Sequence, residues 1–179
     1  MVSAGRREMS STTPLGAVWR GALSGAAGTA AMDLFLYGRH RLQGGGQDLI
    51  SWEFGGPSEW DEVSAPAQVG RRLFEGYTQR PLPERRARLT NNVMHWGYGI
   101  AWGTLFGIIA GSLPKARAGA GPLFGAAVWG SGYVLLPVAG LYKPIWKYRP
   151  AELAPDLAAH LIYGAATALC FRASRASGS

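Results

Sequence analysis

The chain has one cysteine, three histidines and eleven acidic residues among 179. A lone Cys170 excludes an intrachain disulfide and any paired-cysteine metal site. Three histidines, His40, His95 and His160, are too few for two bis-histidine haems. Also missing are a phosphate-binding glycine loop with its lysine and a serine-nucleophile elbow, so no enzyme chemistry of the soluble kind is expected. The few acids face 18 Lys and Arg, giving a net charge of +7 and a pI near 10.0. Nucleic-acid binding is one reading of that balance, but the basic residues are not gathered on a polar domain with stacking aromatics, and no nucleic-acid partner is expected. Arg6, Arg7, Arg20, Arg39, Arg41, Arg85, Arg86 and Arg88 instead flank apolar blocks, as they do where lipid headgroups and topology use them.

Those blocks cover roughly 19–38, 92–113, 121–141 and 153–172. Each holds about 20 residues, which at about 1.5 Å per residue matches the ~30 Å of bilayer hydrocarbon. The expected fold is all-α, an integral membrane four-helix bundle forming a single domain over 1–179, with a polar loop at 39–90. Near-zero mean hydropathy hides two populations, since most of the charge sits in that loop. The 26 glycines fit spans built to touch other helices rather than lipid. The N-terminal block has the outline of a secretory signal, but it has a counterpart later in the chain and is kept as a span.

That counterpart is part of an internal repeat. Gly21-Ala-Leu-Ser-Gly25-Ala-Ala agrees with Gly121-Pro-Leu-Phe-Gly125-Ala-Ala at five of seven positions. Asn91-x-x-x-His95-x-x-Tyr98-Gly99 is echoed by Asp156-x-x-x-His160-x-x-Tyr163-Gly164. The spans therefore read as two tandem helical hairpins, parallel units related by an axis near the membrane normal. The first hairpin's long connection holds a predicted amphipathic helix, capped by Ser64, started by Pro66, with Val69, Leu73 and Tyr77 along one face, and ended by Pro81-Leu-Pro83. Trp52, Phe54 and Trp60 are expected as interfacial anchors.

Gly99, Gly103, Gly107 and Gly111 recur every four residues, a groove for a close helix neighbour in the same chain or in a second copy. His95 lies on that stripe one turn earlier. Asn91 and His95, or Asp156 and His160, are one turn apart on one face, so Asp156 is expected to accept a hydrogen bond from His160. Asp33 sits deeper in its span than either histidine and must be neutral, paired or facing a polar cavity. The candidate polar site is thus Asp33, Asn91, His95, Tyr98, Asp156, His160 and Tyr163, for proton sensing or transport. The bland reading is that these groups only fix helix packing. The alternative is a small-molecule or haem-binding redox protein with His95 and His160 as axial ligands. No cofactor and no metal ion is otherwise expected.

Pro137-x-x-Gly140-Leu141-x-x-Pro144, followed by Glu152-x-x-x-Asp156-x-x-x-His160-x-x-Tyr163, resembles the YagU-like bacterial inner-membrane proteins, as does the Gly-Ala-rich stretch 21–37. The resemblance implies a multi-span helical protein of the bacterial cytoplasmic membrane, with the lipid bilayer as partner, and no reaction. Lys and Arg number eight in 39–90 and three in 142–152, against three, two and two in the N-terminal, middle and C-terminal segments. Both connections within the hairpins are accordingly expected in the cytoplasm, with both termini outside.

Overall fold

The computed structural model describes residues 13–113 and 120–176. Arg6, Arg7, Lys115 and Arg117 lie outside the described residues. Among the described residues every regular element is helical: α1 (Pro14–Leu42), α2 (Leu49–Phe54), α3 (Ala65–Thr78), α4 (Ala87–Ser112), α5 (Ala120–Val138) and α6 (Pro150–Ala176). Two of them, α5 and α6, are long and apolar enough to cross a membrane. Local chemistry sets the ends. Thr13 accepts the Gly16 N–H at 3.1 Å ahead of Pro14, and the Glu152 carboxylate reaches back to the Arg149 N–H at 2.8 Å ahead of Pro150. Helix α5 stops where Gly140 adopts φ +69° and the Leu141 N–H turns back to the Leu136 carbonyl at 2.9 Å.

Helix α1 packs on α4 and on α6, and α5 packs on α6. Glycine makes all three of these contacts, and a Cβ on Gly28 of α1 would lie 2.8 Å from the Tyr163 carbonyl oxygen of α6. A Cβ on Gly21 would lie 2.6 Å from the Gly103 carbonyl oxygen, and one on Gly25 the same distance from the Gly99 oxygen. In the second hairpin a Cβ on Gly121 would lie 2.7 Å from the Gly164 oxygen, while Gly125 backs onto the His160 carbonyl. The stripes expected to meet neighbouring helices therefore meet helices of the same chain. Gly111, at the stripe's end, meets only the Ala17 methyl at 3.1 Å and the Phe171 ring. If Gly21 is matched to Gly121 and Gly99 to Gly164, the second hairpin is slid by one helical turn, about 6 Å at ~1.5 Å per residue.

The interior of the bundle places small polar side chains beside two apolar clusters, one around Met32, Val128 and Tyr163 and one around Phe106 and Phe171. Ser24, Thr29 and Thr167 are fully buried, each returning its hydroxyl to a carbonyl of its own helix. Leu15, Trp19, Leu23, Ile109, Leu123 and Leu169 are all more than half exposed.

The first connection departs from expectation in three ways. Trp60 is 3% exposed and forms a small core with Ala67 and Ala87, its indole N–H on the Leu82 carbonyl at 3.1 Å, so it anchors the loop and not an interface. Ser64 stands at the N-cap position of α3 as expected, but its hydroxyl goes to Asn91 on α4 and makes no capping bond. Helix α3 meets α4 through its small face, where Gly70 backs onto Met94 and Thr90, leaving Leu73, Phe74 and Tyr77 outside. It ends at Thr78 because Gln79 turns left-handed at φ 54°, ahead of the two prolines. Helix α2 had no sequence signal. The long helices also run longer or shorter than the expected spans, α4 starting at Ala87 and α5 stopping at Val138.

Glu75 fastens the turn after α3, accepting the Leu82 N–H at 2.9 Å and the Arg71 Nε–H at 3.1 Å. These bonds, that from Leu82 first, hold its carboxyl below the usual range. A carboxyl lowered on folding stabilises above its unfolded value and loses that contribution as pH falls through its folded value. Acidification from pH about 5 to about 3 is expected to loosen the turn, read as falling hydrogen-exchange protection of the Leu82 amide. Glu75→Gln should lower that protection at neutral pH; unchanged protection factors would count against the clasp.

Candidate functional site

Two polar networks sit at the end of the bundle where the hairpin connections lie. In the first, Asp33 of α1 is 6% exposed and its Oδ1 lies 2.8 Å from the His95 Nε2 on α4. Helix α2, capped by Asp48 on the Ser51 N–H, brings Glu53 to the same place. Its Oε1 accepts the Trp96 indole N–H at 2.8 Å. Burial raises the Glu53 carboxyl above its usual range; the Trp96 bond opposes this and the neighbouring Asp33 charge adds to it. The other Asp33 oxygen, Oδ2, is buried without a hydrogen-bond partner.

The second network belongs to the other hairpin. Asp156 Oδ2 accepts the Trp129 indole N–H and the Tyr133 hydroxyl, both at 2.9 Å. His160 Nδ1 lies 2.8 Å from the Asp156 backbone carbonyl and 3.4 Å from Oδ1 of its carboxylate. A carbonyl only accepts, so Nδ1 carries the proton and Nε2 keeps its lone pair in the neutral ring. The expected His160 to carboxylate bond is therefore displaced to the backbone. Tyr142 and Tyr148 stack around Tyr133 with ring centroids 5.5 Å away, which makes the carboxylate one wall of an aromatic cluster.

Between the networks lies a cavity of about 490 Å³, bounded by α4, α5 and α6, floored by Thr29 and Met32 of α1 and roofed by Ser64, Pro66 and Val69. It exists because α5 leans on α6 and stands off α4. Long side chains bridge that gap, Tyr98 to Ser131 at 3.1 Å and Phe124 to Trp102 and Phe106, with rings 6.1 and 4.9 Å apart. Tyr163 crosses the floor, its hydroxyl donating to the Gly99 carbonyl at 2.6 Å.

Of the seven polar residues singled out by sequence, His95, Tyr98, Asp156, His160 and Tyr163 line this one cavity. Asp33 stands behind it, one hydrogen bond away through His95. Asn91 does not pair with His95 and instead holds Ser64 at the roof. Glu53, Trp129 and Ser64 were missed. Trp129 and Tyr133 do share a helix face at four-residue spacing, but only Asp156 across the hairpin gives that spacing a meaning. Tyr133 is the sequence counterpart of Asp33, and both reach a polar residue on the following long helix: the carboxylate has changed sides, from α1 in one hairpin to α6 in the other.

Residues 77–169 match the model of a family described as a protein of unknown function, DUF1440. No curated protein and no solved structure matches the chain.

Proposed function

The chain belongs to the DUF1440 family, whose match covers just over half of its length, and we propose that it is a four-span protein of the bacterial cytoplasmic membrane that binds a small amphiphilic cation in the cavity between α4, α5 and α6. It holds this ligand rather than converting it. The observation that carries the reading is the convergence of five sequence-selected polar residues on one otherwise apolar cavity, the usual character of a small-molecule site. The head group is assigned from the far wall. Asp156 keeps its side chain 37% exposed among Trp129, Tyr133 and Tyr142, and a carboxylate framed by aromatic rings attracts an organic cation. The methionine, valine and leucine walls suit an alkyl body.

The membrane part of the reading rests on the large apolar side chains that face outward, on the two apolar helices, and on the YagU-like pattern at 137–163, which falls inside the matched region. Without a hydrophobic drive between helices, close glycine contacts and small polar side chains are what hold spans together. We read the two hairpins as copies of one. Their connections share one end of the bundle, where Arg72 reaches the Ala139 carbonyl, and their eleven Lys and Arg direct that end to the cytoplasm.

The test uses the chain in lipid nanodiscs, titrated with decyltrimethylammonium and followed by tryptophan fluorescence. Saturable binding is expected, weakened by about tenfold or more, that is about 1.4 kcal/mol, in Asp156→Asn. A linear response identical in the variant would sink the reading, and a Soret band in the purified protein would replace it by the haem reading. Proton movement is a second reading, favoured by Tyr133 donating to the Asp156 carboxylate with the His160 ring 3.4 Å from it. It requires proton flux in liposomes to fall in both Asp156→Asn and His160→Gln.

A further inference from the structure

We propose that Asp33, Glu53 and His95 bind one divalent transition-metal cation at the junction of α1, α2 and α4. One ligand atom from each residue lies within 4.8 Å of the other two. Around a six-coordinate ion with bonds of about 2.1 Å, adjacent ligand atoms are about 3 Å apart. The 2.8 Å between His95 Nε2 and Asp33 Oδ1 is already that of an adjacent pair. Glu53 offers the third ligand atom, within 4.8 Å of the other two.

Independent of that spacing is the state of Asp33. Its residue is 6% exposed and its Oδ2 has no hydrogen-bond donor within reach. Leaving a buried acceptor unsatisfied is costly, and more so for a carboxylate. A cation held between Asp33 and Glu53 supplies what the oxygen lacks. The charges agree: two carboxylates with a neutral imidazole sum to minus two, which a divalent ion cancels, whereas a protonated His95 offsets only half. The outer partner is present too, because Trp96 Nε1–H fixes the Glu53 carboxylate at 2.8 Å as second-layer donors fix metal ligands.

One imidazole nitrogen with two carboxylates suits zinc, manganese or iron(II), in contrast to the all-oxygen shell of calcium or the sulfur ligands of copper(I). On binding, the imidazole proton sits on Nδ1 and the Nε2 to Oδ1 hydrogen bond gives way to two bonds to the ion. Asp33 and Glu53 do not line the cavity, and His95 alone touches both places. The metal site therefore stands whether or not the cavity binds an amphiphile.

The experiment takes the full chain in nanodiscs, stripped with a chelator, and titrates Zn²⁺ and Mn²⁺ separately by calorimetry, with thermal unfolding alongside. One ion per chain is expected, with a raised unfolding midpoint. Glu53→Gln keeps an acceptor for Trp96 and is the deciding variant. It should fold as the parent does without metal, bind at least about tenfold more weakly and show no metal-induced rise. Asp33→Asn should do the same. Absence of stoichiometric binding by the parent chain overturns the proposal, as does unchanged affinity in a folded Glu53→Gln.

Discussion

Gly103→Ala is expected to destabilise the chain by about 2–3 kcal/mol, the cost of forcing atoms into a packed contact that cannot yield. A Cβ at this position would lie 2.6 Å from the Gly25 backbone nitrogen, and one at Gly25 would lie 2.6 Å from the Gly99 oxygen. Those are backbone atoms of helices already in contact, so the methyl fits only if α1 and α4 part along their whole length. Parting them opens the contacts at Gly21 and Gly107 as well, and the Tyr163 bond to the Gly99 carbonyl nearby loosens. Gly97 and Gly130 are the controls, because nothing lies within 4 Å of a Cβ at either. Alanine there should be neutral or stabilising by up to about 1 kcal/mol, the difference in helix propensity. Thermal unfolding in one detergent, followed by circular dichroism, compares the three variants with the parent. If Gly103→Ala melts with Gly97→Ala, the glycine contact is not what holds the first hairpin.

His95→Leu should be worse still, at about 3–5 kcal/mol, the usual penalty for removing one partner of a buried charged pair. The loss lies less in the missing hydrogen bond than in what remains. Asp33 would keep a carboxylate between α1 and α4 with neither oxygen paired, since Oδ2 already has no donor. That reasoning makes a second, sharper demand. Adding Asp33→Asn to His95→Leu should recover a good part of the stability, because the charge goes with its partner. A double-mutant cycle measures this directly. Strictly additive losses would mean that Asp33 and His95 act through separate contacts.

The sequence was readable where neighbours are close along one helix. The glycine stripe, the two histidine motifs and the amphipathic character of 65–78 all announce themselves at three- or four-residue spacing. The groups that finish the site announce nothing, because they come from other helices. Asp33 and His95 are 62 residues apart, Glu53 and Trp96 are 43, and Ser64 and Asn91 are 27. No periodicity links such pairs. Same-face logic even misled at Asn91, whose side chain was drawn away from His95 by a hydroxyl on the loop. Trp60 was misread for a related reason: an indole among glycines and acids looks exposed until the turn at Leu82 folds over it. The matched hairpins were legible as sequence, but the one-turn slip between them was not. It is set by which backbone each glycine meets, and both registers place glycine against a carbonyl.

The central position of α1 has a consequence for how the protein is made. Its two packed faces are satisfied by α4, which starts at residue 87, and by α6, which starts at residue 150, whereas α1 itself ends at residue 42. During synthesis, α1 emerges before both of the helices that cover it. A nascent α1 carries Asp33 alone until His95 arrives. Pairing of α1 with α4 as one hairpin closes that interval and leaves the α6 face of α1 as the seat on which the second hairpin docks.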